Sequence, residues 1–298
     1  MKLAAIDIGS NAIRFQVTNV TEFEGKHRFK RLEYVRFPLR LGHDVFKYQK
    51  IGPDKEDKFF RLMHAFKLLI DLYEIDDYYA CATSAMRESQ NGHALAQRVH
   101  QLLGLKIHII DGEKEAELIN NVVMRNLNED SYLHIDVGGG STELNLITYR
   151  KKVASKSFKI GSVRTLQYKG NAQALEDMAH WVERKRGKVE GGVTAIGTGG
   201  NINKVYDLAN SKGELFLSVK KVEQVLDYVA SHSIEERIHK LQLNADRADV
   251  IIPATGIYLA AMRAAGCKKI MVPDVGLKDG LTQMLYERNL GRMKLDFE

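Results

Sequence analysis

Residues 133–140 read Leu133-His134-Ile135-Asp136-Val137-Gly138-Gly139-Gly140, and residues 4–11 read Ala4-Ala5-Ile6-Asp7-Ile8-Gly9-Ser10-Asn11. Each is an apolar, β-prone run, an aspartate, one more β-branched residue and then a glycine turn. Each turn leads into another apolar run, Ile13–Val17 after the first and Leu144–Ile147 after the second. Two short apolar runs joined by a glycine-containing connection predict a β-hairpin. The same hairpin met twice, about 130 residues apart, predicts two domains that begin alike. A length of 298 residues agrees with two domains.

Working outward, the spacing of Phe59, Leu62, Met63, Phe66, Leu69, Ile70 and Tyr73 predicts a helix over 54–73. A strand is expected over 78–83, helices from His93 and from Gly112, and strands over 106–110 and 193–196. Further helices are expected over 201–209, from Ser218 as cap, over 248–265 and over 277–289, with a strand at 269–272. Alternation of strands and helices with hairpins argues an α/β class.

Composition narrows the function classes. The chain has 44 basic and 38 acidic residues, a net charge of +6, with 44% hydrophobic residues, which excludes disordered and low-complexity architectures. Two cysteines, Cys81 and Cys267, supply no disulfide framework, which fits a reducing cytoplasm. An aspartate at position 7 comes too early for a secretory signal, and no run of 18 apolar residues is present. Cytoplasmic localisation without membrane contact is expected. Basic groups at Lys26/Arg28/Lys30/Arg31, Arg150/Lys151/Lys152 and Arg184/Lys185/Arg186/Lys188 read first as solvated faces and second as attractors of a polyanion. Trp181 reads as core. There is no P-loop sequence, no H-E-x-x-H spacing, and too few cysteines for a structural zinc site.

The chemistry-bearing residues cluster at the glycine turns. Glycine admits positive φ, and successive turn N–H groups form an anion-binding concavity. Asp7 and Asp136 stand where a carboxylate could hold a divalent cation against phosphate oxygens; a single such turn reads first as a tight hairpin, and its repetition favours the cation, with Glu143 a further hard oxygen beside the hydroxyls of Ser141 and Thr142. Gly197-Thr198-Gly199-Gly200 follows a strand and opens a helix, so it is either a third anion site or a close-packed turn. Asp111-Gly112-Glu113-Lys114-Glu115-Ala116-Glu117 is acidic at a helix start, which the helix dipole favours without any catalytic role. Arg87, in Thr83-Ser84-Ala85-Met86-Arg87, is a phosphate clamp or a surface ion pair.

Taken together these segments, with Val272-Pro273-Asp274-Val275-Gly276-Leu277-Lys278-Asp279-Gly280, resemble in residue and order the exopolyphosphatase and guanosine pentaphosphate phosphohydrolase (Ppx/GppA) family. The resemblance covers essentially the whole chain, and Asp136 followed by Gly138-Gly139-Gly140-Ser141-Thr142-Glu143 is its most specific part. It implies an α/β actin-like ATPase (ribonuclease H-like) duplicated fold, with two domains around a central cleft. Residues 1–120 would form the first, joined by a C-terminal helix at about 286–298, and residues 121–285 the second. It implies Mg²⁺-dependent release of terminal phosphate from inorganic polyphosphate or guanosine pentaphosphate. By the family's pattern Glu115 is the water-activating base, Asp136, Glu143 and Asp7 hold Mg²⁺, and Gly9, Ser10, Asn11, Arg87, Gly138, Gly139, Gly140, Ser141, Thr142, Gly197, Thr198, Gly199 and Gly200 bind phosphate. Ala12 stands where many members carry Ser or Thr, so one hydroxyl contact is missing. The similarity ends with the two-domain core, so processivity on long chains is not implied. Neither a membrane nor a nucleic-acid partner is expected, and a homodimer stays open as the commonest assembly. Two rival readings remain at this point: a non-catalytic sensor of polyphosphate or a guanosine alarmone, and an actin-like kinase or ATPase.

Overall fold

The computed structural model describes residues 1–167, 171–209 and 213–291. Two compact units divide the chain, Met1–Val122 with the segment from Gly276 onward, and Val123–Val275.

The first unit is built on β1 (Lys2–Ile8), β2 (Ile13–Phe23), β3 (Lys26–Phe37), α1 (Leu41–Tyr48), α2 (Pro53–Leu72), β4 (Asp77–Ala82), α3 (Ser84–Glu88), α4 (Gly92–Leu103), β5 (Ile107–Ile109) and α5 (Gly112–Val123). Its sheet runs β3-β2-β1-β4-β5. The first three strands form an antiparallel meander, and β4 and β5 add in parallel beside β1. Nearly all of β1 is buried, as expected of a central strand covered on both faces.

The second unit follows with β6 (Ser131–Val137), β7 (Thr142–Thr148), β8 (Lys151–Phe158), α6 (Ser162–Gln167), α7 (Asn171–Arg186), β9 (Val193–Thr198), α8 (Gly200–Leu208), β10 (Phe216–Ser218), α9 (Val219–Ala230), α10 (Ile234–His239), α11 (Ala245–Ala248), α12 (Ile251–Ala264) and β11 (Lys269–Met271). Here the order is β10-β11-β9-β6-β7-β8, again a meander with parallel β9 and β11 added beside its first strand and β10 antiparallel at the edge. Reading each sheet from its own first strand, meander, first strand, next parallel strand and next again recur in one order. That is the duplicated actin-like α/β plan, and the echo at residues 4–11 and 133–140 is its sequence trace.

α13 (Leu277–Asn289) carries the chain back onto β1, β2 and β4 of the first unit. It buries Leu281, Met284 and Leu285, and its end is pinned where the Arg288 guanidinium forks onto Asp77 at 2.5 and 3.0 Å. The returning helix thus starts at Leu277, upstream of residue 286, and positions 292–298 of the expected segment lie outside the described residues. The expected helix over 248–265 is α12, which starts at Ile251 after the short α11 ends at Ala248.

The third strand of each meander, β3 and β8, is where the sequence shows basic clusters rather than alternation. Both run at a sheet edge, and charge on an edge strand opposes further pairing. Trp181 is core, packed edge-on against Phe158 at 5.7 Å. In the basic cluster at the end of α7, Arg186 donates to the carbonyls of Val189 and Gly191 and so fixes the loop that follows the helix. Both cysteines are buried and free.

Candidate active site

In the first unit, β1 ends at Asp7-Ile8 and the chain turns through residues 9–12 into β2. The Gly9 N–H closes the turn onto the Ala12 carbonyl at 3.2 Å. Behind the turn, Gly42 N–H donates to the Ser10 carbonyl (2.8 Å) and Arg40 N–H to the Asn11 carbonyl (2.9 Å). In a trans peptide the N–H points opposite to the C=O it adjoins, and no described peptide is cis. The N–H groups of Asn11 and Ala12 therefore point away from the start of α1. Ser10 Oγ meets Ser84 Oγ at 2.8 Å, which ties the turn to the start of α3, just after β4.

Asp7 is buried, and Arg14, its register partner on β2, donates to Oδ2 at 2.7 Å. Cys81 lies beside Asp7 on β4. Burial first, and then the carboxylates of Asp7 and Glu115, push its thiol well above the ordinary range. Arg87 donates from Nη1 to the Ile110 carbonyl at 2.6 Å, fixing the chain as it enters α5. Asp111 Oδ1 accepts from Lys114 N–H at 2.8 Å and caps that helix. Of the acids there, Asp111 and Glu113 are exposed, Glu117 is half-buried beside Lys114, and Glu115 is buried at 8% exposure. Glu115 heads the stripe that continues through Leu118 and Ile119, where helical periodicity calls for an apolar residue. That misplaced acid was the periodicity signal for it.

The second unit repeats the turn. Gly138 N–H closes it onto the Ser141 carbonyl at 3.0 Å. The carbonyls of Gly138 and Gly139 accept from the amides of Ser162, Val163 and Arg164, and the Gly140 carbonyl accepts from Arg164 Nε at 2.6 Å. By the same peptide geometry, the N–H groups of Gly139, Gly140 and Ser141 point away from α6. A Cβ on Gly161 would lie 2.6 Å from the Gly139 backbone, so only glycine lets that segment approach so closely. The expected positive φ is not found at Gly9, Gly138, Gly139 or Gly140. These turns are tight because of crowding: a Cβ on Gly9 would sit 3.0 Å from the Ala12 carbonyl oxygen.

Asp136 on β6 and Glu143 on β7 are register partners, both buried. Ser157 Oγ donates to Glu143 Oε1 at 2.9 Å, and Thr198 Oγ1 donates to Asp136 Oδ1 at 2.8 Å. Two hard carboxylates facing each other across one ladder are a donor set suited to Mg²⁺ or a similar divalent cation. Thr142 is turned inward, donating to the Ile160 carbonyl at 2.7 Å. Gly197 and Thr198 belong to β9, where a Cβ on Gly197 would crowd the side chains of Ile270 and Ile202 at 2.8 and 3.0 Å. The turn itself is Gly199, at φ +108°, and Gly200 opens α8.

Sequence reasoning missed Tyr258. Its hydroxyl donates to the Thr198 carbonyl and accepts from Val137 N–H at 3.2 Å, joining the strands that carry Asp136 and Thr198. Burial first, and then the charges of Asp136 and Glu143, push this phenol well up. Its sequence signal was a phenol hydroxyl among the mostly apolar residues of α12. Arg40, Gly42, Gly161 and Arg164, which brace the two turns, carried no motif at all.

The family model for the Ppx/GppA phosphatase family matches residues 20–288. The chain belongs to that family. A bifunctional 3-dehydroquinate synthase/phosphatase of Fusobacterium nucleatum is 31% identical over 167 residues. That match covers 54% of this family member and 25% of the Fusobacterium protein, so the chain spans only a part of that curated relative. A PPX-GPPA enzyme of Aquifex aeolicus is 26% identical with a TM-score of 0.73, covering 95% of this chain and 98% of that one. An exopolyphosphatase of Cytophaga hutchinsonii shares the fold at a TM-score of 0.84 and 20% identity, covering 98% and 99%. No helix among the described residues is long and apolar enough to cross a membrane.

Proposed function

We propose that this Ppx/GppA family member is a cytoplasmic, Mg²⁺-dependent phosphoanhydride hydrolase that releases the terminal phosphate of inorganic polyphosphate, guanosine pentaphosphate or both. The observation that carries this reading is the pairing of buried Asp136 and Glu143 in register beside a turn whose N–H groups of Gly139, Gly140 and Ser141 share one direction.

Those amides, with Asn11 and Ala12 in the first unit, donate hydrogen bonds to the terminal phosphoryl oxygens. Asp136 and Glu143 hold the cation, with Asp7 as a further carboxylate. Mg²⁺ bound there supplies charge neutralisation for the oxygens over which the transition state spreads its charge. Glu115, kept from bulk water, orients the attacking water and takes its proton. The water oxygen bonds to the terminal phosphorus as the bridging P–O bond breaks, and the shortened chain leaves with the bridging oxygen. Backbone donors fixed before substrate arrives need no reorganisation during reaction, and such preorganisation is commonly the largest catalytic effect.

The experiment is phosphate release measured side by side on polyphosphates of several lengths, guanosine pentaphosphate and ATP, with Mg²⁺ and with chelator. Release from the first two that stops with chelator is expected. Tight binding of these substrates without release would favour a non-catalytic sensor, and transfer from ATP to an acceptor would favour a kinase.

A further inference from the structure

Asp136 ends a chain of hydrogen bonds that crosses four strands of the second unit. Ser155 on β8 donates from Oγ to Asn145 Oδ1 at 2.8 Å. Asn145 Nδ2 on β7 lies 3.2 Å from His134 Nδ1 on β6, and His134 Nε2 lies 2.9 Å from Thr198 Oγ1 on β9. Thr198 Oγ1 then donates to Asp136 Oδ1 at 2.8 Å. His134, Asn145 and Thr198 are fully buried at 0% exposure, while Ser155 sits on the exposed edge strand.

The proton positions follow from the far end. An ionised carboxylate only accepts. Thr198 has one hydroxyl proton, and giving it to Asp136 leaves its oxygen able only to accept from His134. His134 Nε2 therefore carries the proton. A neutral imidazole has a single N–H, so Nδ1 accepts, and Asn145 must present its NH₂ there. The Asn145 oxygen then faces Ser155, which donates. Reversing any one link would set two donors or two acceptors against each other.

We propose that His134 is a positioning residue: through Thr198 it fixes the hydroxyl rotor that holds Asp136 Oδ1, and so sets the carboxylate that receives the divalent cation. This rests on the cation-holding role proposed for Asp136. Partners one bond removed from a ligating carboxylate, here Thr198, orient it, and their loss commonly costs about 10- to 100-fold in metal affinity; His134 acts through that partner.

Three measurements on the full chain test it. The tautomer of His134 in the wild-type protein, read from ¹⁵N shifts without metal or substrate, should be Nε2–H; an Nδ1–H tautomer overturns the proposal. The affinity for Mn²⁺, read by electron paramagnetic resonance without substrate, should fall about 10-fold or more in His134→Phe. It should be largely recovered in His134→Gln, whose amide replaces the Nε2 donor. Unchanged Mn²⁺ affinity in a folded His134→Phe overturns the proposal, as does equal loss in both variants. In turnover, the Mg²⁺ concentration for half-maximal rate should rise in His134→Phe while the KM for phosphate substrate stays within about twofold; a rise in KM alone also overturns it. If His134→Phe does not fold, Thr198→Val takes its place in the Mn²⁺ measurement, with Thr198→Ser as its rescue. Should no substrate release phosphate, the tautomer and Mn²⁺ affinity still decide the role of His134, so failure of the proposed activity gives a different result from failure of this inference.

Discussion

Arg14 donates from Nη1 to Asp7 Oδ2 at 2.7 Å, and the two are direct register partners at the mouth of the β1–β2 hairpin. Asp7 is 5% exposed, so its carboxylate depends on that cation. Arg14→Met should lose about 1–3 kcal/mol of stability, the cost of a buried polar group losing its charged partner. Chemical denaturation against wild type measures it, and equal midpoints would show the pair to be dispensable.

Glu115→Gln keeps the shape of the side chain and its place on the buried face of α5. Phosphate release should fall by roughly 10²- to 10⁴-fold, the usual contribution of a general base. The thermal midpoint should stay near that of wild type. Single-turnover kinetics at saturating substrate reads this directly; a rate within a factor of three of wild type removes Glu115 from the mechanism.

Two glycines of the second unit separate crowding from helix propensity. A Cβ at Gly161 presses on the Gly139–Gly140 backbone, so Gly161→Ala should cost about 1–3 kcal/mol and displace the turn. Gly256 lies within α12 with nothing within 4 Å of the added carbon, so Gly256→Ala should stabilise by about 0.5–1 kcal/mol. Differential scanning calorimetry of the pair should show midpoints moving in opposite directions.

Glu236 closes the capping box of α10 with Ser233. The Lys240 ammonium first, and then the Ser233 amide, hold its carboxyl at about 2, against an ordinary value of 4.5. A depressed carboxylate contributes fully above its unfolded value and loses that contribution as pH falls through the folded one. The α10 cap should therefore be intact above about pH 4.5 and be lost toward pH 2. An NMR titration of the Glu236 side-chain carbon follows it, and Lys240→Ala should move the midpoint upward.

Cys81 and Cys267 should not react with a thiol-exchange reagent at pH 8 in the folded protein. Both are buried, and burial pushes the Cys267 thiol to about 12 and that of Cys81 well above its ordinary value. Rapid labelling of either one before unfolding would contradict their place in the cores of the two units.

The sequence by itself determined the duplication. Apolar strand, aspartate and glycine turn are local, so Ala4–Asn11 and Leu133–Gly140 announce both hairpins without any knowledge of the fold, and the motif from Asp136 to Glu143 points to the family. Apolar runs likewise placed the central strands, and residue type alone put Trp181 in the core. β3 and β8 escaped because basic residues interrupt their apolar positions on an exposed edge, which blurs the alternation. Tertiary structure decided what each polar group does. Asp7 and Asp136 look alike in sequence, yet one is met by a guanidinium and the other by a hydroxyl at the end of a relay from Ser155, because neighbouring strands from distant positions supply the partners. Among the acids opening α5, Glu115 alone stands in line with the apolar stripe, and packing of that face is what buries it. Burial and hydrogen-bond partnership depend on which strands lie side by side, and that information is spread over residues far apart in the chain.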